Sequence, residues 1–282
     1  MVTVTIFLFM AACAAQPPAA GEVRFALMGD TPYSESEVGR LDGLIGDLNK
    51  EPLEFVVHIG DITSGRGPCT NEWFSARKAQ FASIQHPFIL LPGDNDWTDC
   101  HRSGHDPMER LQYWRTLFCS RDAALRTEVQ PGEYCEHVRW QVGGVLFVAL
   151  NVQGSNNNLG RTPAMDAEYA ARMKAVLAWI DDSERAFRNR KLGRIVLLMQ
   201  GNPFNKPRSG PNGFDSLLER VQRLSADNPR AVILVNGDAH IYRDDVPLPG
   251  LRRIEPWGSP LVSWLRGSIV DGAVRVEVVG PY

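Results

Sequence analysis

Short apolar segments that end in a glycine and an aspartate constrain the fold of this 282-residue chain more than any other feature. The pattern occurs four times, at Gly29-Asp30, Gly60-Asp61, Gly93-Asp94 and Gly237-Asp238. A single pair would indicate only a turn, since both residue types are common in turns. Four pairs, each after an apolar run, predict that carboxylates meet in one crevice at the carboxyl ends of the strands of an α/β sheet.

Six apolar runs predict buried strands, because they are continuous and lack the alternation of a half-exposed strand. They comprise residues 23–28, 55–59, 87–91, 145–150, 195–199 and 231–235. Apolar residues at helical spacing predict helices between them, one of which begins at the capping box of residues 34–37. Further helices are predicted near Pro107, over residues 166 to about 191, and around residues 214–224.

The end of the chain predicts β structure. Residues 262–265 and 269–270 are apolar, and residues 274–279 follow an Asp271-Gly272 turn that is typical of a hairpin. Gly143-Gly144 predicts another hairpin. We interpret residues 21–282 as one α/β domain.

The net charge excludes one class of function. A formal charge of −3 argues against nucleic acid as a partner, because such proteins usually present a basic face. Hydrophobic residues at 44% and charged residues at 22% fit an ordinary globular domain.

The first twenty residues differ from the rest of the chain. Residues 2–15 are almost entirely apolar, a length that suits the core of a signal peptide and is too short to span a bilayer. The segment before Cys13 also resembles a lipobox, in which Cys13 would become a lipidated N-terminus and a membrane tether. A buried first strand is the alternative. We predict that residues 1–20 are an export signal and that the protein is periplasmic or a membrane-anchored lipoprotein.

Four further cysteines agree with export, because an even number in an exported chain allows two disulfides. They are Cys69, Cys100, Cys119 and Cys135, and none forms a Cys-x-x-Cys motif. Three pairings are open, and four reduced thiols are the alternative. We prefer Cys69–Cys100 with Cys119–Cys135.

Converging carboxylates repel one another and need compensation to stay together in a folded protein. Bound divalent cations supply that compensation. The acidic crevice is therefore a candidate metal site.

Five sequence blocks resemble those of the calcineurin-like metallophosphoesterases, from residue 23 to about residue 242. The match is specific in its long middle block and looks closest to a bacterial branch of the family. The matching blocks are Gly-Asp-Thr-Pro-Tyr at residues 29–33, Gly-Asp at 60–61, Pro-Gly-Asp-Asn-Asp-Trp-Thr-Asp-Cys-His-Arg at 92–102, Gln-Gly-Asn-Pro at 200–203, and Gly-Asp-Ala-His at 237–240.

The resemblance implies a two-sheet β-sandwich flanked by helices, a four-layer arrangement, and two bound metal ions. It implies that Asp30 and His240 bind the first ion, that Asp61 bridges both ions, and that Asp94 and Asp238 bind the second. Asp94 and Asp238 stand where the family usually has an asparagine and a histidine.

Three departures from the family pattern reduce the number of histidines. Pro32 replaces a histidine ligand in the first block, and Gln200 and Asn202 precede the proline of the fourth block, where an amide oxygen could serve instead. Asn95 replaces the histidine that protonates the leaving group. Tyr33 could offer a phenolate, although simple packing is the more ordinary role for it.

Four residues are further candidates for the chemistry. His101 could replace the missing general acid, with an ordinary surface histidine as the alternative. Arg66 and Arg102 could bind a phosphate through bidentate hydrogen bonds, and Asn95 could contact substrate. For both arginines, a solvated loop charge is the alternative.

The resemblance implies a metal-dependent hydrolase of small phosphoric esters, which the N-terminal segment predicts to be exported. Its oxygen-rich ligands favour Mn²⁺, with Mg²⁺, Fe or Zn²⁺ as other options. The alternative is a non-catalytic exported domain that retains the fold.

Overall fold

The computed structural model describes residues 19, 21–119, 123–207 and 209–282. The predicted export signal, with Cys13, lies outside the described residues apart from Ala19. Within the described part of the chain, no helix is long and apolar enough to cross a membrane.

The strands of the described residues form two mixed sheets. The strands are β1 (Val23–Met28), β2 (Phe55–His58), β3 (Phe88–Leu90), β4 (Glu128–Val129), β5 (Val138–Val142), β6 (Val145–Ala149), β7 (Arg194–Leu198), β8 (Val232–Val235), β9 (Arg243–Leu248), β10 (Leu251–Glu255), β11 (Trp264–Val270) and β12 (Ala273–Val279). One sheet has the order β12-β11-β1-β2-β3, and the other has the order β4-β5-β6-β7-β8-β10-β9.

Helices cover the outer face of each sheet. They are Glu35–Leu48, Asn71–Phe81, Pro107–Phe118, Pro163–Asn189 and Asp215–Asp227, with 3₁₀ turns at Thr98–Ser103 and Ala123–Leu125. In four of the α-helices the N-cap side chain accepts a backbone N–H from the first turn. These N-cap residues are Ser34, Thr70, Asp106 and Thr162.

The continuous apolar runs are explained by the layers on either side of each strand. In β1, Phe25 and Leu27 pack between the two sheets, whereas Ala26 and Met28 pack against the helices. In β6, Phe147 likewise faces the other sheet, and Leu146 faces the outer helices. The order of layers is helix, sheet, sheet, helix, which confirms the predicted fold class.

Some elements differ from the sequence prediction. Residues 262–265 and 269–270 belong largely to one strand, β11, which pairs with β12 as the expected hairpin. The helix Asn71–Phe81 and the strands β4, β9 and β10 were not predicted. The turn at Gly143-Gly144 does join two antiparallel strands, β5 and β6.

Strand direction determines where the site can form. β1, β2 and β3 run parallel to one another, as do β6, β7 and β8. The carboxyl ends of three neighbouring strands therefore lie together in each sheet, and the residues after them can meet.

Both preferred disulfides are present. Cys69 is bonded to Cys100, and Cys119 is bonded to Cys135. The first joins the segment after Asp61 to the segment after Asp94. It therefore fixes two of the loops that follow the parallel strands.

Candidate metal centre

Four aspartates from both sheets meet at the carboxyl ends of the strands, and we call them the acidic centre: Asp30, Asp61, Asp94 and Asp238. Asp30, Asp61 and Asp94 follow β1, β2 and β3, and Asp238 follows β8. The backbone N–H of Asp238 donates to Asp30 Oδ1 at 3.1 Å, which ties the two sheets together at this edge. His240 Nε2 lies 3.7 Å from the same oxygen.

The backbone at these positions is strained. Asp30, Asp61, Asp238 and His240 have φ values of 53°, 61°, 73° and 58°, in the left-handed region that non-glycine residues seldom adopt. Each such residue costs on the order of 1–3 kcal/mol, and such residues cluster at functional sites. The fold therefore tolerates a cost in stability at the four positions that bring these side chains to the centre.

Two supporting side chains hold the loops. Asp96 accepts the backbone N–H groups of Asp61, Ile62 and Gly93 at 2.8–3.0 Å. His58 is buried, with Nε2 2.8 Å from the Thr31 carbonyl and Nδ1 accepting the Gly60 N–H at 3.2 Å. Burial lowers the pKa of His58 to about 4, so the ring is neutral and joins the loops after β1 and β2.

A cavity of about 370 Å³ opens onto the centre. Asp61, Asp94, Asp238 and His240 line its floor. Further lining residues supply cationic, hydroxyl and amide groups; they include Tyr33, Asn95, Arg102, Ser155, Asn156 and Lys206.

Burial without a cationic partner dominates the electrostatics of the centre. It raises the pKa of Asp30, Asp61 and Asp94 well above the usual carboxyl value, and the charges of neighbouring aspartates raise each of them further. Burial also raises the pKa of Asp238, against hydrogen bonds from the Asn202 backbone and Gln200 that lower it. The four carboxylates need protons or cations to remain together.

Hydrogen-bond donors surround Asp61. Its Oδ2 accepts from the Tyr33 hydroxyl at 2.8 Å, from Asn95 Nδ2 at 2.7 Å and from Gln200 Nε2 at 3.1 Å. Its Oδ1 accepts the backbone N–H of Asn95 at 2.9 Å.

Gln200 presents its amide nitrogen to the carboxylates. Its Oε1 accepts the backbone N–H of Gly154 at 2.7 Å, which fixes the orientation of the amide. Its Nε2 then donates to Asp30 Oδ1 at 3.2 Å as well as to Asp61. In this arrangement Oε1 already has a backbone partner, and the side chain presents its nitrogen to the carboxylates.

The other side of the centre contains fewer donors. Ser155 Oγ lies 2.8 Å from Asp94 Oδ2 and 2.7 Å from Asp99 Oδ2. Asp99 in turn pairs with Arg102 and Arg161 at 2.7 and 2.8 Å. These two arginines neutralise Asp99 and leave Asp94 without a cationic contact.

Two carboxylate oxygens of the centre are available to bind a divalent cation. Asp30 Oδ2 and Asp94 Oδ1 are buried and have no hydrogen-bond partner. A Cβ on Gly237 would lie 2.3 Å from Asp30 Oδ2, and one on Gly154 would lie 2.3 and 2.7 Å from Asp238 Oδ1 and Asp94 Oδ1. Glycine therefore keeps open the space beside these oxygens.

The hydrogen bond of His240 leaves its Nε2 lone pair available, as a metal ligand requires. Its Nδ1 lies 2.8 Å from the Ser259 carbonyl, which can only accept, so in the neutral ring Nδ1 carries the hydrogen. The lone pair is then on Nε2, which faces Tyr33 Oη at 3.2 Å. A carbonyl that orients the imidazole in this way is common behind metal-binding histidines.

The ligand atoms are nevertheless spread out. Among the described residues, three ligand atoms of His, Cys, Asp or Glu lie mutually within 4.8 Å only at Cys119, Cys135 and Glu136, where the two sulfurs form a disulfide. In the acidic centre no three such ligand atoms therefore lie mutually within 4.8 Å. Mg²⁺ sites of this kind are usual, since the ion keeps several waters and uses one or two carboxylates.

Two predicted residues lie outside the cavity. His101 is exposed, and its Nδ1 lies 2.9 Å from the Thr98 carbonyl. Arg66 is exposed as well, and neither residue lines the cavity. Arg102 does line it, although its guanidinium also pairs with Asp99 and donates to the Gly65 carbonyl at 3.1 Å.

A left-handed turn that the sequence did not predict also borders the cavity. Ser155, Asn156, Asn157 and Asn158 have φ values of 47°, 55°, 54° and 70°. Arg172 stabilises the turn by donating to Asn157 Oδ1 at 2.6 Å and to two backbone carbonyls. The three consecutive asparagines are the available signal, because asparagine tolerates this conformation better than most residues.

No protein-family model and no curated protein match the sequence. Solved structures do match. A dimetal phosphatase from Danio rerio has a TM-score of 0.61 at 12% identity, over 92% of this chain and 96% of that protein. A purple acid phosphatase from yellow lupin (Lupinus luteus) seeds has a TM-score of 0.53 at 14% identity, over 91% of this chain and 51% of that protein.

A putative 5′-nucleotidase from Staphylococcus aureus gives a TM-score of 0.52 at 12% identity, over 92% of this chain and 54% of that protein. The chain thus spans about half the length of the lupin and Staphylococcus proteins. These matches show that the chain has the calcineurin-like metallophosphoesterase fold.

Proposed function

We propose that this chain is an exported hydrolase of small phosphoric esters that depends on divalent cations. The observation that carries the proposal is the acidic centre, whose four carboxylates have no Lys or Arg contact among the described residues. Holding such charges together costs several kcal/mol unless cations compensate them. The shared fold of the Danio rerio dimetal phosphatase supports the same conclusion.

The residues that would hold cations form two groups. Asp30 and His240 form one, Asp94 and Asp238 form the other, and Asp61 is the candidate for contact with both. Two ions are the expectation from the dimetal neighbour, and Mn²⁺ is the first to test, since oxygen-rich ligands suit hard cations. Bound divalent cations would supply polarisation of a phosphoryl oxygen and a lowered pKa of water.

The rest of the cavity would bind and orient substrate. Arg102 and Lys206 line it and can neutralise phosphoryl oxygens, Arg102 with its planar donor pair. Asn95 Nδ2 already donates to Tyr33 Oη at 2.9 Å and to Asp61. Because Asn95 cannot release a proton at neutral pH, the proposed substrates are esters with a stable leaving anion. The negative charge of the centre weakens its attraction for a phosphate dianion, which favours diesters over monoesters.

His101 and Arg66 have reduced roles in this proposal. Both lie outside the cavity lining, so a part for either in catalysis would require movement of its loop. Arg102 is the stronger candidate for phosphate binding, since it already faces the cavity.

Export is proposed from residues 1–20 and from the two disulfides, which persist in oxidising compartments. A tether through lipidated Cys13 would place the protein on a membrane, and cleavage without lipidation would leave it in the periplasm.

The test is Mn²⁺-dependent turnover of an activated aryl phosphodiester by wild type, Asp61→Asn and Asn95→Ala. Asp61→Asn should abolish turnover and lower metal content, because it removes the charge at the middle of the centre. Asn95→Ala should lower the rate by at most about tenfold, the cost of a hydrogen bond of ~0.5–1.5 kcal/mol. Wild-type turnover in Asp61→Asn would contradict the proposal.

A non-catalytic exported domain is the second candidate. The four donors around Asp61 favour it, because they satisfy this carboxylate without any cation. Absence of turnover for monoesters and diesters with every divalent cation tested, in protein that still binds a cation, would select this second function.

A further inference from the structure

We propose that the centre holds one divalent cation tightly, between Asp94 and Asp238, and that the Gln200 amide takes the place of a second cation between Asp30 and Asp61. The inference rests on the proposed function in taking divalent cations as the ligands, and it replaces the two ions expected there with one.

The orientation of the Gln200 amide is the first step. Its Oε1 accepts the Gly154 N–H at 2.7 Å, and its Nε2 donates to Asp30 at 3.2 Å and to Asp61 at 3.1 Å. Turning the amide over would lose three hydrogen bonds. It would also place Oε1 against two carboxylate oxygens and Nε2 against an N–H. The nitrogen therefore faces the carboxylates.

Gly154 is held firmly enough to enforce this orientation. A Cβ on Gly201 would lie 2.5 Å from the Gln153 carbonyl and 2.9 Å from Gly154 N, so the segments before and after Gln200 pack backbone against backbone. The strained left-handed turn follows Gly154 directly, and Arg172 and the Gly213 carbonyl anchor its Asn157. Strain of this kind persists only where the surroundings over-determine it.

Hydrogen-bond donors already occupy the acceptor sites of Asp61. A carboxylate offers about four lone-pair sites on its two oxygens. Four donors reach Asp61: the Tyr33 hydroxyl, both nitrogens of Asn95, and Gln200 Nε2. A cation between Asp30 and Asp61 would have to displace donors and would face the amide hydrogens of Gln200, which carry partial positive charge.

Asp94 has fewer donors than Asp61, and Asp238 beside it accepts from the Asn202 backbone and from Gln200. Asp94 Oδ1 is buried and has no partner, and both it and Asp238 Oδ1 lie close to Gly154, where a Cβ would come within 2.7 and 2.3 Å of them. No donor other than Ser155 reaches the Asp94 carboxylate among the described residues. A hydrated cation held by two carboxylates matches this pair.

The experiment counts bound ions in the purified full-length protein. Wild type, dialysed against Mn²⁺ and then against buffer, should retain one Mn²⁺ per chain by elemental analysis. Its electron paramagnetic resonance spectrum should be that of an isolated ion. Gln200→Glu keeps the acceptor for Gly154 N–H and replaces the donor with a charged oxygen. It should retain two ions and show the spectrum of a spin-coupled pair.

Gln80→Glu is the matched control. Gln80 Nε2 also donates to a carboxylate, Asp42 Oδ1, but it lies on helix Asn71–Phe81 away from the centre. This variant should retain one ion. Gln200→Ala tests the same point if Gln200→Glu does not fold, because it removes the amide without adding charge. The Gln200→Ala protein should bind the second ion at least tenfold more tightly than wild type does.

Two ions in wild type, or one ion in both Gln200 variants, would overturn the inference. Two ions with turnover would leave the proposed function standing. One ion in wild type and two in Gln200→Glu would support the inference even if neither protein hydrolyses phosphoric esters.

Discussion

Buried carboxylates in two regions of this molecule have opposite surroundings. Beneath the Cys119–Cys135 disulfide, Glu136 is fully buried and pairs with Arg115 at 2.6 Å and with Asn151 Nδ2 at 2.7 Å. In the acidic centre, Asp94 is equally buried but contacts no Lys or Arg among the described residues. The fold can therefore place an arginine beside a buried carboxylate, and it does not do so at the centre.

The two environments shift the pKa in opposite directions. Burial alone would raise the pKa of Glu136, but the hydrogen bond and charge of Arg115 outweigh it and the pKa is lowered. Burial raises the pKa of Asp94 well above its usual range, and the charges of Asp238 and Asp99 add to that effect. Glu136 completes a structural ion pair, whereas Asp94 is left ready for a ligand that carries positive charge.

The largest expected effect is on cation binding. Asp94→Asn should weaken Mn²⁺ affinity by roughly 100-fold or more, because the amide keeps the shape of the side chain and removes the charge that attracts the ion. Isothermal titration calorimetry of both proteins measures the difference. Glu136→Gln should leave the affinity unchanged, and equal affinities for wild type and Asp94→Asn would refute the assignment.

In the absence of metal, substitutions at these two positions should change the free energy of unfolding in opposite directions. Glu136→Gln should lower the free energy of unfolding by about 3–5 kcal/mol, because it removes the negative charge that pairs with the Arg115 guanidinium, whose side chain is only 12% exposed. Asp94→Asn should raise it, since it removes a buried, repelled charge. Urea unfolding after chelation of divalent cations measures both values. A loss of stability in Asp94→Asn equal to that in Glu136→Gln would remove the distinction between the two regions.

The sequence predicted the positions of the centre because they depend on local order along the chain. Gly-Asp after an apolar strand places a carboxylate at a strand end, whatever the rest of the fold does. The orientation of Gln200 could not be predicted in this way, since the N–H of Gly154, 46 residues away, determines it. The left-handed turn depends likewise on Arg172, from the helix Pro163–Asn189.

The missed strands have a related cause. In β9, Asp244 and Asp245 are polar residues on an exposed edge, and they pair with Arg252 and Arg253 of β10. An apolar pattern cannot reveal strands that cross-strand ion pairs help to stabilise. The helix Asn71–Phe81 was missed because few of its residues are apolar, although Trp73, Phe74 and Phe81 are all buried.

A third prediction uses the histidine beside Glu136. Burial lowers the pKa of His137 to about 4, so the folded protein keeps the ring neutral while the unfolded chain takes up a proton below pH 6.5. Stability is therefore complete above about pH 6.5 and is lost as pH falls toward 4, by ~3 kcal/mol in total. The free energy of unfolding of wild type, relative to His137→Asn, should fall over this range. If the free energy of unfolding of wild type and of His137→Asn changed with pH in parallel, the lowered pKa of His137 would be contradicted.

The smallest expected effect is at a pair whose carboxylate is exposed, although its arginine is buried. Asp245 accepts from Arg253 Nε at 2.8 Å, and its side chain is 45% exposed. Asp245→Asn should lower the free energy of unfolding by at most about 1 kcal/mol, because water solvates the carboxylate well before the pair forms. Arg253 also keeps its contact over the Phe204 ring, 4.9 Å from the ring centre, so the guanidinium is not left without a neighbour. Since salt screens exposed charges, the difference from wild type should shrink further in 1 M NaCl, where the Debye length is about 3 Å. Urea unfolding at low and high salt measures it. A loss as large as that of Glu136→Gln would mean that the presence of an arginine, and not burial, sets the energy of these pairs, and the contrast drawn with the acidic centre would then fail.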